Sequence, residues 1–250
     1  MQKFITLLRR ELAGFLVSWT GYVIIAAAAF LMGLSFVVLL MKLRLESITV
    51  PVTEMFYATP FFWLILLLAA PVITMRLFAL EKFSGTYETL MTAPVRDWQV
   101  VFAKFAAALF FYLLMWLPLL ACVFIVRQFT NDPSALDPGV MLGTFLGILL
   151  LGGVFLAMGC FGSALTRSQI VAAMISFAGG TSLFLLSFLS DRIEMKTGWL
   201  AQLFSYLSIV EHMQDFTRGV VDTRPVVFCV SLTFLFLFLT LRVVESRRWK

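Results

Sequence analysis

The chain has a single histidine, His212, and its neighbours Glu211 and Asp215 bring acid, base and imidazole together in one stretch. Such residues could move protons, and a Ser-His-Asp centre would have to use this histidine. Neighbours in sequence are not a triad, however, and a polar residue at a membrane surface is the plainer account. There is no H-E-x-x-H, so the helical ligand pair of zinc hydrolases is absent, and no metal site is expected. No glycine is followed by lysine, which removes the G-x-x-x-x-G-K-[ST] loop that cradles nucleotide phosphates. Gly162-Ser163 lacks the flanking pattern of a nucleophile elbow. Cys122, Cys160 and Cys229 are odd in number, widely spaced and set in apolar stretches. They fit small buried hydrophobes better than a disulfide or zinc framework. The expectation is a non-catalytic chain.

Three polar stretches could instead bind or transmit. In residues 2–15, Phe4, Leu7, Leu8, Leu12 and Phe15 recur at three and four residues, with Lys3, Arg9 and Arg10 elsewhere on the wheel. That pattern predicts an amphipathic helix lying at a membrane surface, basic side toward lipid headgroups. The loop over 76–99 contains Arg76, Glu81, Lys82, Gly85, Thr86, Glu88 and Leu90, with a broken apolar face of Leu77, Leu80, Tyr87, Leu90 and Met91. A helix stopped before Pro94 is expected there, because proline disfavours a helical residue in front of it. In the loop over 190–224, Glu211, His212, Asp215 and Arg218 stand at helical spacing and end at Gly219. The apolar run before them, Trp199 to Val210, is too short to span and predicts a re-entrant or interfacial helix.

The elements that position these stretches follow from composition. The 250 residues are 61% hydrophobic and 13% charged, about half the charged fraction of a soluble domain. Too little polar surface remains to cover a water-soluble globule, so the apolar excess must face lipid. Spans are expected at roughly 20–41, 58–75, 100–126, 139–165, 168–189 and 225–243, and helices are the element that satisfies the backbone in lipid. The fold expected is all-α: one polytopic domain over 1–250, with six transmembrane helices and an interfacial helix in 1–18. The first apolar run, Val23 to Met41, is too long for a signal peptide and reads as a retained span.

The net charge of +5 would suggest nucleic acid in a soluble protein, but here the bases flank apolar spans. With both termini inside, twelve of the 19 Lys and Arg fall on the cytoplasmic side. No charge lies deep within a predicted span, so the mark of a proton- or ion-coupled pathway is missing. A secondary transporter or pump without such a site would have to find its energy elsewhere. Gly143 and Gly147 on the fourth span form a G-x-x-x-G, which allows close helix contact, with a dimer mate or within the chain.

The loop after the second span reads Pro71-Val-Ile-Thr-Met-Arg76, Glu81-Lys-Phe-Ser-Gly85-Thr-Tyr-Glu88-Thr-Leu90 and Ala93-Pro94. It resembles the first cytoplasmic loop of permease subunits of ABC-2 type transporters. Glu211 to Asp222 and the terminal Arg247-Arg-Trp249 are similar to the gliding-motility-type branch of that family. The resemblance implies a connecting helix at the N-terminus and a coupling helix around Glu81 to Leu90 that seats on a separate ATPase. It implies an extracellular re-entrant pair within 199–221, and dimerisation with a second copy or a paralogue. ATP and magnesium would belong to the ATPase, the membrane would be the bacterial inner membrane, and the activity would be export. Two alternatives from other classes are a membrane anchor or scaffold of a gliding or envelope machine, and a membrane enzyme centred on His212.

Overall fold

Apolar segments that cross a hydrocarbon layer must satisfy their own amides and carbonyls, which a helix does within one segment. The computed structural model describes residues 2–45, 52–87, 95–130, 138–192, 207–220 and 222–246, and among them all regular structure is helical. In chain order the helices are α1 (Gln2–Leu16), α2 (Trp19–Leu45), α3 (Val52–Tyr57), α4 (Pro60–Thr74), α5 (Ala79–Ser84) and α6 (Asp97–Met115). They continue as α7 (Leu117–Thr130), α8 (Pro138–Leu165), α9 (Gln169–Arg192), α10 (Ile209–Thr217) and α11 (Thr223–Ser246).

Six stretches among the described residues are long and apolar enough to cross a membrane: Trp19–Lys42, Pro60–Ser84, Asp97–Ile125, Pro138–Leu165, Gln169–Ser187 and Thr223–Ser246. The protein is therefore an all-α polytopic membrane protein, as composition and run lengths led one to expect.

Local chemistry sets the breaks. Pro60 opens α4 at a position where its missing N–H costs nothing, and Thr59 before it is extended, with ψ 144°. The third span, expected as one helix, is divided at Trp116. Pro118 has no N–H for the carbonyl one turn back, and the chain tightens, with the Trp116 amide donating to Leu113 O at 3.1 Å. The helix expected from Arg76 toward Pro94 is also shorter. It ends after Ser84 because Gly85 takes a left-handed φ of 74° and closes α5. Residues 88–94, with the expected stop before Pro94, lie outside the described residues, as do 193–206 of the 190–224 segment and Arg247 to Trp249.

The bundle is organised around α8, which touches α3, α4, α5, α6, α9, α10 and α11. Its glycines explain how so many neighbours fit. A Cβ on Gly143 would lie 2.6 Å from the Phe216 carbonyl oxygen, and one on Gly147 would lie 2.8 Å from Met213 Sδ. The G-x-x-x-G thus receives α10 of the same chain. Farther along, a Cβ on Gly152 would lie 2.2 Å from Tyr112 of α6, and one on Gly159 would lie 2.1 Å from Thr74 of α4. Small residues let helix backbones approach closely where lipid supplies no hydrophobic drive.

The two ends of the bundle differ. One carries α1 and α5; the other carries α3 and α10. At the first end α1 lies along α6, and Phe15 stacks on Phe111 with ring centroids 5.1 Å apart. Toward the second, Tyr57, Phe62, Trp63, Trp116 and Phe184 form a contiguous aromatic cluster.

Candidate functional site

At the first end, α5 is too short to hold itself, since isolated helices of this length are unstable. Its stability comes from the C-terminal end of α8. The amides of Phe78 and Ala79 both donate to Ser163 Oγ at 3.1 Å. The Ser163 hydroxyl in turn donates to Met75 O at 3.3 Å. Ser163 therefore does for α5, from another helix, what an N-cap residue does from within. The relation is reciprocal, because Lys82 of α5 donates to the Ala164 carbonyl at the end of α8. A cation at a helix C-terminus answers both an orphan carbonyl and the helix dipole. Lys82 also lies 5.2 Å from the Tyr87 ring centroid.

Glu81 points another way. Its Oε1 is 2.8 Å from Lys104 Nζ of α6 and 3.3 Å from Arg10 of α1. Glu11 of α1 approaches the same Lys104 at 3.2 Å, and Arg10 donates to Glu11 at 2.9 Å. Two acids and two bases alternate in a closed cluster. Lys104 is 2% exposed, and the carboxylates are 15% and 16% exposed. A buried ion pair is held by its geometry, because loss of one partner leaves an uncompensated charge. The hydrogen bond that Arg10 donates to Glu11 raises its guanidinium above its ordinary range, so this corner of the cluster stays charged.

The other residues of the 76–90 motif divide between description and omission. Arg76 donates to Thr20 Oγ1 at the start of α2. Gly85 terminates α5, and Thr86 pairs its hydroxyl with Ser84 at 2.9 Å on the exposed side. Phe83 is 77% exposed beside them. Glu88 and Leu90 lie outside the described residues. The motif therefore has two faces: Glu81 and Lys82 turn into the bundle, and 83–86 turn out.

At the opposite end, α10 begins with Ser208, whose Oγ accepts from the Glu211 amide at 3.4 Å. His212 is buried, its ring centroid 5.2 Å from that of Phe228 on α11. Asp215 contributes its carbonyl to the helix end, accepting from the amides of Arg218 and Val220 at 3.2 and 3.0 Å. Gly219 takes φ 78° against Val140. Arg218 leaves the acids of its own helix and bonds Glu54 of α3, Nε and Nη2 reaching Oε1 at 3.0 and 2.8 Å. That hydrogen bond raises the Arg218 guanidinium above its ordinary range. His212, Glu211 and Asp215 are thus engaged in building and packing α10. Among the described residues no group of three His, Cys, Asp or Glu could hold a metal ion.

Four residues of these sites escaped the sequence reading: Glu11, Lys104, Ser163 and Glu54. Two had a legible signal. Position 11 falls between 7 and 4 on a helical wheel, so Glu11 stands within the apolar face. Lys104 sits inside a predicted span, although it counts numerically with the cytoplasmic bases. Both are the pattern of a charge that has a partner indoors. Ser163 and Glu54 carried no such mark.

A comparison with curated proteins returns no match. A family profile described as ABC-2 family transporter protein matches residues 49–244, from just before α3 to the last turn of α11. This interval holds α3, α5 and α10 and, to within two residues, five of the six candidate spans. With the fold and the 76–90 motif, it establishes that the chain belongs to the ABC-2 transporter family.

Proposed function

We propose that this chain is the non-catalytic transmembrane permease of an ATP-driven exporter, with hydrolysis on a separate ATPase that carries ATP and magnesium. In this reading α1 and α5 face the cytoplasm of a bacterium, the inner membrane holds the six spans, and α3 and α10 face outward. The twelve-to-seven bias of Lys and Arg supports that orientation. Two permeases, identical or paralogous, would form the translocation unit. The Glu211–Asp222 stretch supports the gliding-motility-type branch.

The observation that carries the proposal is the two-sidedness of α5. A segment that transmits force from a soluble partner needs one face fixed to the spans and another free to be gripped. Ser163, Lys82 and Glu81 supply the first. Phe83, Ser84 and Thr86 supply the second. ATP binding acts on the permease only through contacts that differ between its states, and α5 with Arg76 at the foot of α4 is where such contacts would enter.

The test is a mild-detergent purification of the tagged chain from its native membrane, read by mass spectrometry. A Walker-motif ATPase at near-equal stoichiometry is expected, with its recovery lost in Phe83→Asp and Glu88→Arg while the permease remains folded. Absence of any ATPase, under conditions that preserve a control ABC complex, would overturn the proposal.

A further inference from the structure

Among the described residues Lys104 is the least exposed charged side chain, and three elements meet on it. It grows from α6, takes Glu81 of α5 at 2.8 Å and Glu11 of α1 at 3.2 Å, and lies 5.5 Å from the Phe78 ring centroid at the entry to α5. We propose that Lys104 is a positioning residue that joins α1 and α5 into one body hung from α6. Displacement of α5 then carries α1 with it. This rests on the coupling role proposed for α5.

An ammonium offers three donors and no acceptor. Two carboxylates from two different helices share this one, and Arg10 closes the outer side by contacting both. Separating α1 from α5 would leave one carboxylate, mostly buried, without the Lys104 ammonium, which is the costly way to break a buried pair. The cheap motions are those that move Glu11, Lys104 and Glu81 together. Phe15 stacked on Phe111 pins the far end of α1 to α6, so α1 cannot pivot away about the ion cluster. The neighbouring charge, Lys82, goes to α8 instead. Consecutive residues of α5 thus divide its attachments, Glu81 to α6 and α1, Lys82 to α8.

The competing account is that the cluster only stabilises the fold. The two separate in the complex with its ATPase, reconstituted in nanodiscs. Spin labels are placed at the exposed Thr6 and Ser84 of a parent whose labelled form copurifies with the ATPase as the unlabelled chain does, with Cys122, Cys160 and Cys229 replaced by alanine. The distance distribution is recorded at rest and with vanadate-trapped nucleotide. With the cluster intact, a narrow distribution unchanged by trapping is expected, and Lys104→Arg should keep it. The neutral variant Glu11→Gln/Glu81→Gln/Lys104→Met removes the buried charges together and should keep the fold. On trapping, its distribution should shift by at least one helical rise, about 1.5 Å, or broaden. Arg10→Ala/Glu11→Ala, which removes both contacts of α1 with the cluster but leaves Lys104 paired with Glu81, should broaden it in the same sense and serves if the triple variant does not fold. A neutral variant that stays narrow and unmoved, or an intact cluster whose labels separate on trapping, overturns the proposal. Lack of ATPase in the purified parent complex defeats the coupling reading instead. The resting widths then decide: Arg10→Ala/Glu11→Ala broader than parent supports the clamp, and equal widths overturn it.

Discussion

Arg218 of α10 bonds Glu54 of α3 at 2.8 Å, although 164 residues of chain separate them. The pair is one of three ties between these helices. Thr53 Oγ1 donates to Thr217 O at 3.2 Å, and Tyr57 OH donates to Val210 O at 2.6 Å. The guanidinium is exposed, and exposed ion pairs add little to global stability. Glu54→Gln should therefore leave the melting temperature in detergent unchanged while amides of α3 and α10 exchange faster. Tyr57→Phe removes a more buried bond and should cost about 0.5–1.5 kcal/mol. Equal exchange in Glu54→Gln and parent would show that the ion pair holds nothing.

Ser163→Ala removes the acceptor that two amides of α5 share. With no water at hand, unsatisfied buried donors cost about 1–3 kcal/mol. The expected result is a lower melting temperature together with faster exchange at Phe78 and Ala79, the rest of α8 remaining protected. Exchange unchanged at those two amides would remove Ser163 as the cap.

Gly152 and Gly153 are adjacent on α8 and should respond in opposite ways to alanine. At 152 the new Cβ meets the Tyr112 ring at 2.2 Å, and at 153 the nearest atom is Thr233 Oγ1 at 3.5 Å. Over-packing at Gly152 should cost about 1–3 kcal/mol. Gly153→Ala has room and gains helix propensity, up to about 1 kcal/mol. Thermal unfolding of the two variants side by side checks both signs at once.

Gly85→Ala tests how α5 must end. Nothing crowds a Cβ there, so the penalty is purely that of the left-handed backbone, about 1–2 kcal/mol for a residue with a Cβ. The change is confined to the exposed end of α5. Global melting should move little, and recovery of the ATPase should fall because the turn at Gly85 that places Thr86 is redirected. Gly85→Asn, which tolerates this conformation better, should fall less. Full recovery in Gly85→Ala would argue that the turn does not direct the partner's seat.

The sequence by itself determined the class of this protein. A charged fraction of 13% and six long apolar runs leave no way to build a water-covered globule. Backbone hydrogen bonding in lipid then makes those runs helices. The stop at Gly219 and the amphipathic α1 were legible too, because local chemistry sets them: a left-handed residue, and a period near 3.6. The fold's attachments were decided only in three dimensions. Ser163 looks like any small residue of a membrane helix until its hydroxyl meets two amides from residues 78 and 79. Glu54 finds Arg218, and Lys104 gathers Glu11 and Glu81, across separations no local period encodes. The G-x-x-x-G pattern stated that something would come close, and only the packed chain shows that the visitor is its own α10. Side-chain type and spacing fix what a residue requires: a partner for a charge, an acceptor for an amide, room beside a glycine. Which partner answers depends on how the helices cross, and that is a property of the whole bundle.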